Sequence, residues 1–173
     1  MRFLIVDQSS EFRGALAGML RARWPSARTD DWDPSQSGDP GASLASGDYN
    51  AVLLESHPAG QDGLAWVERI RKDPKAPPVV LIADQGDTHV AIQALKAGAA
   101  DFLRKSSLTP ERLARSLEDA LREHEARGSE QAGARSTSAT TTRLDWKNIG
   151  APLGDNVVAI PGYRSLRMIG RGG

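Results

Sequence analysis

The sequence predicts an α/β protein: a five-stranded parallel sheet, doubly wound by helices, followed by a flexible C-terminal extension. Three observations predict it. Short, wholly apolar runs occur at 3–6, 51–54 and 79–82, as strands buried on both faces do. Segments with apolar residues at helical spacing follow these runs. This strand–helix alternation repeats about five times within the first 127 residues, which requires helices on both faces of a parallel sheet.

The elements follow in order. Phe3-Leu4-Ile5-Val6 forms the first strand and ends at Asp7. Ser9 or Ser10 offers an N-cap to a helix carrying Phe12, Leu16, Met19 and Leu20. Residues 27–47 carry the weakest pattern, giving a strand at 28–32 and a short helix at 42–46. Ala51-Val52-Leu53-Leu54 is the next strand and ends at Glu55. Asp62 caps a helix with Leu64, Val67 and Ile70. Val79-Val80-Leu81-Ile82 follows Pro77-Pro78, and Asp87 or Thr88 then opens a helix that stops at Gly98. Phe102-Leu103 is a short last strand. Thr109-Pro110 places a cap and a first-turn proline before Leu113, Leu117 and Leu121.

Composition bounds the function. The 173 residues carry 22 Lys plus Arg and 22 Asp plus Glu, so no basic excess argues for nucleic acid. Cysteine is absent, which removes disulfides, thiolate nucleophiles and Cys-ligated metals. No run approaches the roughly 18 apolar residues of a membrane span, and the N-terminus lacks a signal-peptide pattern. A cytoplasmic protein is expected. His57, His89 and His124 share no ligand spacing and read as surface residues.

Residues 128–142 read GSEQAGARSTSATTT, with no aliphatic side chain larger than Ala. The chain therefore divides into a domain at 1–127, a flexible linker at 128–145 and an extension at 146–173. Residues 128–173 hold six Lys/Arg against three Asp/Glu, leaving 16 against 19 in residues 1–127; the asymmetry is too small to imply a partner. Ser136, Thr137, Ser138, Thr140, Thr141 and Thr142 are either ordinary linker composition or a set of phosphorylation sites.

Ligands of such sheets sit at the carboxyl ends of the strands. Those ends present Asp7, Glu55 and Lys105. With FLIVD, VLLE followed by Asp62-Gly63, PPVVLIA and ALKAGAADFLRK, residues 1–126 resemble the receiver domain of two-component response regulators. The resemblance implies a flavodoxin-like fold with strand order 2-1-3-4-5. It also implies an aspartate that accepts a phosphoryl group, acids that bind Mg²⁺, a hydroxyl that contacts the phosphate and a lysine that pairs with it. These positions fall on Glu55, on the pair Asp7 and Gln8, on Ile82 and on Lys105. Three of the five depart from the pattern. Gln8 is a neutral ligand for a cation that prefers carboxylates, Glu55 is one methylene longer than aspartate, and Ile82 has no hydroxyl.

The domain is therefore expected to be a pseudo-receiver that has lost Asp phosphorylation, with no catalytic residues and no cofactor. Asp7 and Glu55 would be the metal ligands if it bound one. Glu55 is then either a fixed charge that pairs with Lys105 and holds an active-like arrangement, or a solvated carboxylate at a site no longer used. Phe102 matches the family's switch aromatic. The face formed by 86–126 is the implied surface for a protein partner or a homodimer. On it, Arg112, Arg115, Glu118, Asp119 and Arg122 form intersubunit pairs or an ordinary solvated face. The alternatives are a phospho-accepting receiver that uses Mg²⁺ and a stand-alone adaptor.

The tail, IPGYRSLRMIGRGG, resembles the opening of a bacterial Ser/Thr protein kinase domain. Gly170 and Gly172 match the first two glycines of its nucleotide-binding loop, so ATP would bind only in the full kinase. The chain reads as the regulatory N-terminal part of such a kinase, with the kinase domain cut off at that loop.

Overall fold

In the computed structural model, which describes residues 1–46, 48–84 and 88–137, the described residues form five parallel strands: β1 (Arg2–Val6), β2 (Arg28–Trp32), β3 (Ala51–Glu55), β4 (Val79–Ala83) and β5 (Asp101–Arg104). Their order in the sheet is β2-β1-β3-β4-β5, and each neighbouring pair is parallel, with Leu4 opposite Val52 and Leu54 opposite Leu81. The expected fold class, strand order included, is the one observed. Six helices accompany the strands: α1 (Ser10–Arg23), α2 (Pro34–Ser37), α3 (Gly41–Ser46), α4 (Gly63–Arg71), α5 (Thr88–Lys96) and α6 (Pro110–Thr137).

Successive side chains of a strand point to opposite faces, and that alternation builds two core layers. Phe3, Ile5, Leu53, Val80 and Ile82 meet Leu16 and Leu20 of α1 and Leu113 and Leu117 of α6. Leu4, Val6, Val52, Leu54 and Leu81 meet Trp66, Val67 and Ile70 of α4 and Ala94 of α5. Burying both faces requires nearly continuous apolar strands, as Phe3–Val6 of β1, Ala51–Leu54 of β3 and all of β4 are. The outer strand β2 instead reads RTDDW and is only partly buried, because it has a neighbour on one side only and charge suits an edge.

The start signals act as expected. The Ser9 side chain accepts from the Phe12 N–H, Asp62 from Leu64 and Thr109 from Arg112. Gly98 has φ +99, a backbone conformation only glycine adopts without strain. Two elements differ from expectation. α2 was not legible in the sequence; Asp33 caps it, accepting from Ser35 N–H, with Pro34 at its first position.

The second difference is α6, which runs to Thr137, past the composition change at Gly128 that set the expected end of the domain. Absence of large aliphatics marks this stretch as unable to bury a core, yet Ala, Glu, Gln and Arg are strong helix formers. His124 is half-buried on this helix and not free on the surface. Burial lowers its pKa, and the charges of Arg71 and Arg127 add to that. By compactness the chain divides after Thr137. The expectations at Asp87, at 138–145 and for the extension at 146–173, Gly170 and Gly172 included, lie outside the described residues. No helix among the described residues is long and apolar enough to cross a membrane.

Candidate functional site

All strands run the same way, so their carboxyl ends share one edge, and β1, β3, β4 and β5 are neighbours along it. Asp7 follows β1, Glu55 closes β3, Asp84 follows β4 and Lys105 follows β5. Together with Gln8 and Phe12 these residues line one cleft. Lys105 Nζ stands in its centre, 2.8 Å from Asp7 Oδ2, 3.1 Å from Glu55 Oε1 and 3.3 Å from Asp84 Oδ1. The Phe12 ring lies beneath the ammonium, its centroid 4.5 Å away, at cation–π distance.

Burial grades these contacts. Asp7 and Glu55 are buried, whereas the Asp84 side chain is 71% exposed, so the first two dominate. Burial by itself would lower the Lys105 pKa. Hydrogen bonds to Asp7 and Glu55, together with the charges of both, outweigh it, and the pKa is raised above the ordinary lysine value.

The remaining oxygens are engaged as well. Asp7 Oδ1 accepts from Ser9 N–H at 2.7 Å, and Glu55 Oε2 accepts from the backbone N–H of Gln8 at 3.3 Å. The Asp7 carbonyl accepts from the buried guanidinium of Arg13, which also pairs with Asp31 at 3.6 Å and Asp33 at 3.9 Å. Arg13 thus ties the site to the end of β2 and the residue that follows it.

Of the residues singled out in the sequence, Asp7, Glu55 and Lys105 meet directly. Gln8 lines the cleft but binds Glu55 only through its backbone. Ile82 lies inside the edge: it is buried in the α1–α6 core layer, 1% exposed, one step along β4 before its end. The residue after it, Ala83, carries no hydroxyl either, so the end of β4 offers none. Phe102 is half-buried against the α4–α5 layer. Sequence reasoning missed Asp84, although an acid directly after an apolar strand is the signal that identified Asp7. It also placed Phe12 only as a helix residue and did not single out Arg13.

A divalent cation needs free, hard oxygens. All four carboxylate oxygens of Asp7 and Glu55 are committed within the chain, the lysine occupies the point where the acids converge, and Gln8 presents an amide where a second acid would stand. These residues do not fit such an ion as they stand. Among the described residues, no group of three or more His, Cys, Asp or Glu side chains is arranged to hold a metal. A second cleft, lined by Tyr49, Arg69, Asp73 and Lys75, shares no residue with this edge.

Comparison with known proteins agrees with this architecture. The family model described as "Response regulator receiver domain" matches residues 3–118. The nitrogen assimilation regulatory protein NtrX of Azorhizobium caulinodans is 34% identical over 105 residues, which cover 59% of this chain and 22% of that protein. The transcriptional regulatory protein FixJ of Bradyrhizobium diazoefficiens is 28% identical over 96 residues, covering 56% of this chain and 46% of that one. The chain therefore spans less than half the length of either relative. Among solved structures, NtrX from Brucella abortus in complex with ADP superposes with a TM-score of 0.65 at 25% identity, covering 79% of this chain and 30% of that one. The beryllofluoride-activated NtrC4 receiver domain dimer gives a TM-score of 0.62 at 22% identity, covering 71% and 98%; this second likeness concerns the fold alone.

Proposed function

The chain belongs to the response regulator receiver domain family, and from that premise we propose that it is a non-catalytic regulatory module that has lost phospho-acceptance. On this reading it controls an attached Ser/Thr protein kinase in the cytoplasm through protein–protein contact or dimerisation. One observation carries the loss of phospho-acceptance. The carboxylate at the acceptor position, Glu55, is bonded to Lys105 at 3.1 Å, and Lys105 is bonded in turn to Asp7 at 2.8 Å. The acceptor position is thus held by a glutamate reaching toward the lysine through one more methylene than an aspartate would. The longer side chain of Glu55 displaces its oxygens by about 1.5 Å, and a misplacement of about 1 Å costs in-line transfer on the order of 10²-fold. Gln8 and the missing hydroxyl at the end of β4 point the same way.

The docking face on this reading is formed by α5, β5 and α6. Ile92 is 45% exposed and Leu95 is 52% exposed on α5, one helical turn apart, with Arg112 and Arg115 across β5 on α6. Phe102 of β5 packs on the α4–α5 side. The kinase attachment rests on the tail, where Tyr163, Gly170 and Gly172 fit the opening of a kinase domain.

A second reading has its own support. The names of the NtrX and FixJ relatives describe regulatory proteins, transcriptional in the case of FixJ. This chain would then be a Mg²⁺-dependent phospho-acceptor upstream of a transcriptional output.

Incubation with acetyl phosphate and Mg²⁺ followed by intact-mass measurement separates the two. We expect no phosphoryl adduct and no beryllofluoride-dependent change in Trp24, Trp32 or Trp66 fluorescence. A stoichiometric adduct on Glu55 would return the domain to phosphorelay signalling. Within the full-length protein, Ile92→Glu with Leu95→Glu is expected to abolish kinase control while leaving the fold intact. If control persists, the output does not run through this face.

A further inference from the structure

We propose that the cleft between β5 and the first turns of α6 is a site for a small tetrahedral oxyanion, held by Arg112, Arg115 and the hydroxyl of Ser116. It shares no residue with the cleft at the carboxyl edge and does not depend on whether Glu55 accepts phosphate.

Two periodicities build it. Arg112, Arg115, Ser116 and Asp119 are spaced i, i+3, i+4 and i+7, so they share one face of α6. Asp101 and Leu103 are two apart on β5 and share one face of that strand, which is the outermost on its side of the sheet. These six residues line a cleft of about 290 Å³. Sites for drug-sized molecules begin at about 300 Å³, so the space suits an ion.

The Ser116 hydroxyl is the observation that asks for a ligand. Ser116 is 6% exposed, and its Oγ is buried without a hydrogen-bond partner in the chain. Buried polar groups are nearly always bonded, and an orphan needs an explanation. A helical serine can satisfy itself on the carbonyl one turn back, but this one does not. Rotation about χ1 carries the hydroxyl from one staggered position to another and breaks no bond, so it is available as a donor to the cleft.

The charged groups of the lining differ in what they have free. Asp119 pairs with Arg122 at 3.0 Å, and Asp101 accepts from the Phe102 N–H at 2.7 Å. Arg112 and Arg115 are exposed, and neither side chain makes an ion pair among the described residues. Thr109 already accepts from the Arg112 N–H, so the guanidiniums carry the site and the helix end does not. The unused groups are therefore donors: two guanidinium forks, which match phosphate oxygens in pairs, and one hydroxyl. A tetrahedral oxyanion presents acceptors in several directions at once, whereas a carboxylate presents its two oxygens in one plane. The same arginines belong to the docking face described above, so an occupied cleft changes the charge that face presents.

The test titrates the full chain with inorganic phosphate, sulfate, acetate or NaCl at matched pH and ionic strength, which removes general screening, and follows amide resonances by two-dimensional NMR. Phosphate and sulfate are expected to shift Leu103, Arg115 and Ser116 saturably, with a Kd on the order of millimolar; acetate and chloride are not. Arg115→Gln should weaken phosphate binding about tenfold and Ser116→Ala about fivefold, the scales of a charge-assisted and a neutral hydrogen bond. Both put good helix formers on a helix, and thermal unfolding of each checks that the fold persists. Asp101→Asn keeps an oxygen for the Phe102 N–H while removing a negative charge from the lining, and should tighten phosphate severalfold, which a purely structural role for Asp101 would not produce. A phosphate monoester run beside inorganic phosphate identifies the source: the tighter of the two is the ligand, and either order supports the site. Shifts that follow ionic strength alone, an equal response to acetate, or a phosphate affinity unchanged in Arg115→Gln or in Ser116→Ala overturn the proposal.

Discussion

At the residue scale, Lys105 links stability to pH. Its pKa is raised in the folded chain by its bonds to Asp7 and Glu55, which outweigh burial. A raised folded pKa contributes stability that is fully present below the unfolded lysine value, about 10.4. That contribution is lost as pH rises through the folded value. Urea denaturation of wild type and Lys105→Met between pH 9 and pH 12 checks this, with the difference between the two expected to shrink toward the alkaline end. A constant difference would mean that the lysine contributes packing and not charge. Asp7 is the other test. It is 2% exposed, accepts from Ser9 and pairs with Lys105. Asp7→Ala should cost about 3 kcal/mol in denaturant unfolding, the scale of breaking a buried pair from one side.

Elements hold the site through their ends. α1 begins at the cleft, and Ser9 caps it while Asp7 accepts from the Ser9 backbone, so Ser9→Ala should cost about 1 kcal/mol in denaturant unfolding. α4 begins where the loop after β3 folds back. A Cβ at Gly63 would lie 2.6 Å from the Ser56 carbonyl and 2.7 Å from that of Glu55, a contact the backbone must move to relieve. Gly63→Ala is expected to lower stability by about 2 kcal/mol and to shift amide resonances at Glu55 and Lys105 in a two-dimensional NMR spectrum. Loss of stability with no change at those two residues would show that the loop absorbs the strain without passing it to the site. Ala59, at φ 51 in this same loop, places a second unusual backbone conformation close to Glu55.

For the whole molecule, the division after Thr137 predicts that residues 1–137 fold alone, with a thermal midpoint within about 2 °C of the full chain. A fragment ending at 127 removes the last ten residues of α6 but none of the buried core leucines, Leu113 and Leu117. It should stay folded with a small loss of stability. Calorimetry on both fragments decides whether α6 beyond Gly128 belongs energetically to the domain. A truncation at 127 that unfolds the domain would give that extension a structural role that its composition does not suggest.

Local chemistry made most of the fold legible in the sequence. β1, β3 and β4 each carry at least four consecutive apolar residues because both of their faces are covered, and that pattern needs no partner to be read. The caps at Ser9, Asp62 and Thr109 are equally local. β2 is charged because it is an edge, and α2 is one short capped turn, so neither stands out by periodicity. Asp7, Glu55 and Lys105 were legible as acids and a base at strand ends, and the resemblance to receiver domains raised the question of phosphoryl chemistry. Only the tertiary structure decided what they do to one another. Asp84, 21 residues before Lys105 in the chain, becomes its neighbour because parallel strands end together, while Ile82, two residues before Asp84, lies inside the strand and is buried among the helices of the α1–α6 layer. Whether a lysine meets a solvated acid or sits among three depends on the order and register of four strands, and no window of sequence contains that information.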